Sequence, residues 1–213
     1  MSCSMTLANL TAADALARLK EGNRRYVQNV RSVEAMLSHS KRDTQSQCPF
    51  AVVLGCSDSR APAELVFDQG LGDLFVIRVA GNIVAPSQVG SVEFAAERFG
   101  TRLVVVMGHT SCGAIDAALD SLQPGAGPAS RNLMSIVDRV RPSIAALVST
   151  DLARDPVRLR REAMRANVRA SVAHLRHSSE ILERLVATEG LAVVGAELDL
   201  VTGDVGFFEG LPA

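Results

Sequence analysis

The sequence predicts one α/β domain over residues 1–213, with a mostly parallel central β-sheet flanked by helices, an N-terminal helical arm and a C-terminal edge hairpin. Three observations carry that reading. Continuous apolar runs recur at 50–55, 74–79 and 103–107, as in strands buried on both faces, and helix-like segments separate them. The 213 residues are 47% hydrophobic but only 4% aromatic, so a core of adequate size must be built from Val, Leu, Ile and Ala. Neither an internal repeat nor an interdomain linker interrupts the chain.

Taken in order, Thr11 reads as the N-cap of the arm helix, and Asp14 sits near the positive end of its dipole. Leu16, Leu19, Asn23, Tyr26 and Val30 follow at spacings of three and four, which gives the arm, residues 9–30, one narrow apolar edge. Residues 31–47 are polar and read as a loop or short helices. Phe50-Ala51-Val52-Val53-Leu54-Gly55 is the first strand and ends at Cys56. The second, Leu74 to Val79, runs into Ala80-Gly81-Asn82, and the third, Leu103 to Met107, runs into Gly108-His109; both read as central strands. Between them Val89, Val92, Phe94, Ala95, Ala96 and Phe99 fit a helix closed by Gly100, completing a βαβ crossover.

Cys112 to Leu122 reads as the next helix, stopped by Pro124-Gly125-Ala126-Gly127-Pro128, and two further helices fill 131–149 and 157–188. In the last, Val168, Val172, Leu175, Leu182 and Leu185 form the apolar stripe. Arg158, Arg161, Arg165, Arg169 and Arg176 on the same segment read as a solvated face, with a contact stripe for an acidic partner as the sharper alternative. Leu191 to Ala196 is the last core strand, and Thr202-Gly203-Asp204 turns the chain into the edge hairpin.

Charge narrows the function. With 22 Lys+Arg against 23 Asp+Glu, no global field is available to hold a nucleic acid or an anionic membrane. No apolar run approaches the roughly 18 residues of a spanning helix. The first residues also lack the basic leader, apolar block and cleavage site of a secretory signal, so a cytoplasmic protein is expected. The four cysteines, Cys3, Cys48, Cys56 and Cys112, are too scattered for a disulfide scaffold and in a reducing compartment point to metal binding or reactivity.

In open parallel sheets ligands bind beyond the carboxyl ends of the strands, which is where Cys56, Asp58, His109 and Cys112 fall. Cys112 lies about one helical turn beyond His109, so both can face one centre. Two thiolates and an imidazole favour zinc and leave a fourth tetrahedral position for water, substrate or a carboxylate. Asp58, two residues after Cys56, returns to the same side of an extended chain and is the candidate fourth ligand. Arg60 carries the guanidinium fork that would hold this carboxylate bidentately and keep it off the metal. Each residue also has an ordinary reading: a lone Cys as a small core hydrophobe, a lone His as a hydrogen-bonded cap. The combination outweighs them. Cys3 and Cys48 have no comparable partners and are assigned no chemistry, while His39, His174 and His177 read as solvated.

Cys56-Ser57-Asp58-Ser59-Arg60 followed by His109-Thr110-Ser111-Cys112-Gly113 resembles the β-class carbonic anhydrases. Glu21-Gly22-Asn23-Arg24-Arg25-Tyr26, Val76 to Asn82 and Asp199-Leu200-Val201-Thr202-Gly203 extend the resemblance over nearly the whole chain. It implies one Zn2+ per subunit held by Cys56, His109 and Cys112, with Asp58 and Arg60 as a catalytic dyad and Asp58 as fourth ligand in a closed state. It implies reversible hydration of CO2 to bicarbonate and a proton by attack of zinc-bound hydroxide, whose hydrogen bond Asp58 accepts.

The subgroup whose aspartate closes on zinc has a bicarbonate site built partly from Trp and Tyr, and Val53 and Leu198 stand at those positions here. Gln47 instead matches the substrate-binding glutamine of the plant-like, non-allosteric subgroup, which the resemblance therefore favours. Phe75 resembles the aromatic residue lining that subgroup's pocket, with plain core packing as its ordinary reading. Phe94 stands where a Tyr is frequent, which leaves no obvious proton shuttle. Gly113 is expected to bring a backbone N–H to the substrate.

A homodimer with the 9–30 arm packed on the neighbour is also implied, with a tetramer as a larger assembly. Two rival functions remain. One is a carbonyl sulfide or carbon disulfide hydrolase on the same scaffold; the other is a closed structural zinc, with Asp58 as fourth ligand, in a protein without catalysis.

Overall fold

A computed structural model describes residues 10–33, 47–125, 127, 130–177 and 179–212. Along them run α1 (Ala12–Val27), β1 (Ala51–Gly55), α2 (Ala63–Val66), β2 (Leu74–Arg78), α3 (Pro86–Arg98), β3 (Leu103–His109) and α4 (Gly113–Asp120). Then come α5 (Arg131–Ile144), α6 (Pro156–His177), α7 (Glu180–Thr188), β4 (Ala192–Leu198) and β5 (Val205–Glu209). The sheet order is β2-β1-β3-β4-β5, parallel throughout except for β5, which pairs antiparallel with β4. This is the α/β class, with the mostly parallel sheet and the terminal edge hairpin, that the apolar runs predict.

The arm helix begins as expected, with the Thr11 hydroxyl accepting from the Asp14 backbone N–H. Alternation along the strands sorts the core into two layers. Val52, Leu54, Val104 and Val106 face α3 to α7, whereas Ala51, Val53, Leu103, Val105 and Met107 face α1 and α2. Ala15, Leu16 and Leu19 of α1 belong to the second layer, so the narrow apolar edge of the arm is buried against its own chain. Asn23 ties the arm down further. Its Nδ2 donates to the carbonyls of Val66 (3.1 Å) and Gly203 (2.8 Å), and its Oδ1 accepts from Val205 N–H (2.9 Å).

Four expectations are corrected. β2 is an edge strand and not a central one. Its Phe75, Val76 and Ile77 are only half-buried, and an apolar run covered by neighbours on its faces reads alike whether or not a strand flanks it. The long helix expected over 157–188 is two helices, because the Ser179 hydroxyl accepts from Leu182 N–H and starts α7 under an uninterrupted apolar stripe. The helix expected over 131–149 ends at Ile144 and passes into 3-10 turns at Leu147–Ser149 and Asp151–Arg154. Cys48 is disulfide-bonded, a pairing that spacing in the sequence does not reveal. Cys3, His39 and most of the 31–47 segment lie outside the described residues.

The arginine stripe of α6 has a third role that neither reading named. Arg161 Nε and Arg165 Nε donate to the two carboxylate oxygens of buried Glu197 on β4, at 2.8 and 2.7 Å. Arg169 pairs with Glu209, Arg176 donates to the Val193 carbonyl, and Arg165 and Arg169 both lie 5.2 Å from the centre of the Phe208 ring. The stripe therefore fastens α6 to β4 and the hairpin, and only Arg158 at its start stands exposed without such a partner among the described residues.

Candidate metal centre

Each prospective ligand sits where an element ends. Cys56 follows the last residue of β1, His109 is the last residue of β3, and Cys112 caps the N-terminus of α4. Parallel β1 and β3 are adjacent, so their carboxyl ends bring Cys56 and His109 together across 53 positions of sequence. Between His109 and Cys112 the chain must reverse, and Ser111 does so in the left-handed region at φ 55°. Thr110 pins this turn to the end of β4, donating its N–H to the Leu198 carbonyl and accepting from Leu200 N–H at its hydroxyl, each at 3.0 Å.

The side chains of Cys56, His109 and Cys112 are buried, and their ligand atoms lie within 4.8 Å of one another. The sulfurs are 3.9 Å apart. Two thiolates at about 2.3 Å from a tetrahedral zinc stand roughly 3.8 Å apart, so the pair already has the required separation. His109 Nδ1 is 2.9 Å from the Thr110 carbonyl, which can only accept, so Nδ1 carries the proton and Nε2 the lone pair. That Nε2 is buried with no hydrogen-bond partner among the described residues, an arrangement that is unfavourable unless an electron-pair acceptor occupies the space beside it. The donor set and its geometry fit zinc.

Electrostatics point the same way. The hydrogen bond from Cys112, with help from His109 and Gly81 N–H, lowers Cys56 to a pKa of about 4 against the opposing effect of burial. The same bond to Cys56, then burial and the neighbouring negative charge, push Cys112 up. The two thiols thus share one proton until a cation arrives. Burial pulls His109 down, but the adjacent Cys56 sulfur, the bond to Thr110 and the nearby negative charges leave it raised.

Asp58 lies beside this cluster, its Oδ2 3.9 Å from His109 Nε2. Arg60 grips the carboxylate with both arms of the fork, Nε to Oδ1 at 2.9 Å and Nη2 to Oδ2 at 2.8 Å, and adds its own backbone N–H to Oδ1 at 2.9 Å. These bonds hold Asp58 well below the usual carboxylate range. Arg60 Nη2 also reaches the Ser111 carbonyl at 3.3 Å, linking the two loops that carry the ligands.

Arg78 is a site residue that the sequence reading missed. Its Nε donates to the Cys56 carbonyl at 3.0 Å and its Nη2 to the Asp58 carbonyl at 2.5 Å, strapping the Cys56–Asp58 loop to the end of β2. The available signal was a lone arginine inside an otherwise apolar run.

The remaining expected site residues stand further out. Gln47 is exposed before β1, and no hydrogen bond joins it to the ligand cluster among the described residues. Phe75 sets its ring 6.2 Å from those of Phe94 and Phe99, in an aromatic trio on the edge strand. Gly113 opens α4, and a Cβ added there would meet nothing within 4 Å, so the chain itself does not demand glycine at that position. A cavity of about 210 Å³ reaches His109 and Cys112 between α4 and α6, walled in part by Ile115, Val157 and Met164.

A family model for carbonic anhydrase matches residues 51–205. "Carbonic anhydrase 2" of Mycobacterium tuberculosis is 36% identical over 198 residues, 92% of this chain and 93% of that protein. The carbonic anhydrase of Mycolicibacterium smegmatis is 38% identical over 201 residues, 93% of this chain and 94% of its own. Among solved structures, the β-carbonic anhydrase CafA of Aspergillus fumigatus superposes with a TM-score of 0.71 at 24% identity, covering 93% and 91% of the two chains. A tetrameric β-carbonic anhydrase of Sordaria macrospora gives 0.69 at 24% identity, covering 78% and 83%. The chain belongs to the carbonic anhydrase family and has the fold of its β class.

Proposed function

We propose that this chain catalyses the reversible hydration of CO2 to bicarbonate and a proton at one Zn2+ per subunit, held by Cys56 Sγ, His109 Nε2 and Cys112 Sγ. The observation that carries the reading is the buried His109 Nε2, without a hydrogen-bond partner among the described residues, beside two thiols at thiolate-pair spacing, with an arginine-clamped carboxylate next to them. Zinc bound there supplies the Lewis acidity that makes water nucleophilic near neutral pH.

The dyad supplies orientation. Clamped by Arg60, Asp58 stays ionised throughout the physiological range, so an oxygen of its carboxylate accepts a hydrogen bond from the attacking water and aims the oxygen lone pair at carbon. The bidentate grip also supports the open subgroup, because it draws Asp58 toward Arg60. Val53 and Leu198, buried in the apolar core, leave no polar pocket at those two positions, which favours the same subgroup. Gln47, Phe75 and Gly113 are proposed to contact substrate. A cytoplasmic homodimer is the proposed working form, with the tetrameric Sordaria enzyme as precedent for a larger assembly. Since the apolar edge of α1 is buried in its own chain, the arm's outward polar side is what would meet a neighbour.

Stopped-flow CO2 hydration by zinc-loaded protein from about pH 6.5 to 9, beside Asp58→Ala, tests the reading. The wild type should follow a single ionisation, and the variant should lose roughly 10²–10⁴-fold. Steep cooperative loss at low pH would overturn the open subgroup. No hydration above a zinc blank would overturn the function.

A further inference from the structure

One thiolate of the centre is supported by a chain of contacts that begins on α6, far in sequence from the ligand loops. Gly81 N–H donates to Cys56 Sγ at 3.4 Å. Residues Gly81 and Asn82 both lie in the left-handed region, at φ 70° and 42°, so the 3-10 turn Ala80–Asn82 that presents this donor ends with a side-chain-bearing residue in a sparsely populated conformation, and contacts from outside hold it. Space alone partly enforces glycine: a Cβ at Gly81 would stand 3.1 Å from that of Ala114 on α4.

The support comes from two buried polar side chains one helical turn apart on α6. Asn167 Nδ2 donates to the Gly81 carbonyl at 2.8 Å, and Ser171 Oγ donates to the Asn82 carbonyl at 3.2 Å. Both are buried within the otherwise apolar core-facing stripe of the helix. A polar group in such a stripe is unfavourable unless it satisfies a partner, and here the partners are the two carbonyls that set the direction of the turn.

We propose that Asn167, assisted by Ser171, is a positioning residue for the metal centre: by holding the Gly81–Asn82 turn it aims Gly81 N–H at Cys56 Sγ and sets how strongly that thiolate donates to a bound metal. The inference rests on the three-residue metal centre proposed above. Hydrogen bonds to a coordinating sulfur withdraw charge from it, and groups that orient such outer contacts commonly change metal affinity by about 10–100-fold.

The test uses the full-length protein loaded with Co2+, whose thiolate-to-metal charge-transfer band reports on the sulfur, and zinc affinity measured by chelator competition. Asn167→Ala, and Ser171→Ala as a milder second variant, should move the band to lower energy, because a thiolate without its N–H donor holds its electrons less tightly. Asn167→Ala should also weaken zinc binding about tenfold, because the released turn no longer holds Cys56 Sγ in place for the metal, a loss that outweighs the gain in donation. Val172→Ala, on the same helix but outside the chain of contacts, serves as the stability control and should lower the melting temperature without moving the band. An unmoved band in folded Ser171→Ala and Asn167→Ala, or an equal shift in Val172→Ala, would show a merely structural role and overturn the proposal. If Asn167→Ala does not fold, the Ser171→Ala band decides alone. Failure of the wild type to bind Co2+ would overturn both this proposal and the functional reading. Normal binding without CO2 hydration would overturn only the latter.

Discussion

Gly108→Ala adds a single methyl one residue before His109, where α6 packs closely on the end of β3. A Cβ at Gly108 would stand 2.5 Å from Met164 Sδ and 2.8 Å from Val168 Cγ2. Carbon atoms rest at about 3.5–4.0 Å, so the valine contact is short by roughly 0.7 Å or more. Met164 can swing its thioether away, but a helical valine has one strongly preferred rotamer. Val168 is hemmed on its other side as well, since a Cβ at Gly195 on β4 would lie 2.8 Å from Cγ1.

Overpacking of this kind destabilises by about 1–3 kcal/mol, and replacing glycine returns about 0.4–1 kcal/mol through the unfolded chain. The expected net loss is about 1–2 kcal/mol, read as a lower urea midpoint at unchanged slope. Because the displaced strand end carries His109, zinc affinity should fall with it. Val168→Ala opens the space, so the double variant should be more stable than the sum of the two single losses by about 1–2 kcal/mol. A loss below about 0.5 kcal/mol, or strict additivity in the double variant, would refute the claim that Val168 is wedged between the two glycines.

Other outcomes follow from the same contacts. In metal-free protein the ultraviolet thiolate absorbance should persist down to about pH 4, where Cys56 finally protonates, while an ordinary thiol loses it below about 8.5; a single transition near 8.5 would contradict the shared proton. From about pH 4 to 6.5 the unfolded chain binds the extra proton at Cys56, so metal-free stability should rise with pH; above about 6.5 raised His109 keeps its proton longer in the fold and offsets that rise, and above about 8.5 raised Cys112 keeps its proton only in the fold, so stability should fall. Melting temperatures across that range would check both slopes. Asn23→Ala strands two carbonyls and one N–H and should lose about 2–3 kcal/mol in urea unfolding, with Asn23→Asp, which turns a buried carboxylate oxygen onto the same two carbonyls, losing at least as much. Glu197→Gln leaves Arg161 and Arg165 without their shared charge and should lose about 1–3 kcal/mol; a change under about 0.5 would mean that water replaces the carboxylate equally well.

The sequence by itself determined the class of fold and pointed to the proposed metal-binding set. Apolar runs that end in glycine, cysteine or histidine mark strands whose carboxyl ends carry chemistry, and residue types at fixed short spacing, Cys56-Asp58-Arg60 and His109-Cys112, specify what those ends can bind. Both are local properties, readable from composition and periodicity without knowing what lies opposite. Tertiary structure alone decided the rest, because it depends on which residues face one another across long separations. Only the sheet order makes β2 an edge strand, and only the approach of α6 explains why Gly108 and Gly195 must be small. The stripe of arginines looked solvated until Glu197 and Phe208 were brought beneath it. Nothing in the sequence marked Asn167; the fold sets it 2.8 Å from the carbonyl of Gly81, 86 positions away, and a buried amide declares its purpose only through the partner that satisfies it.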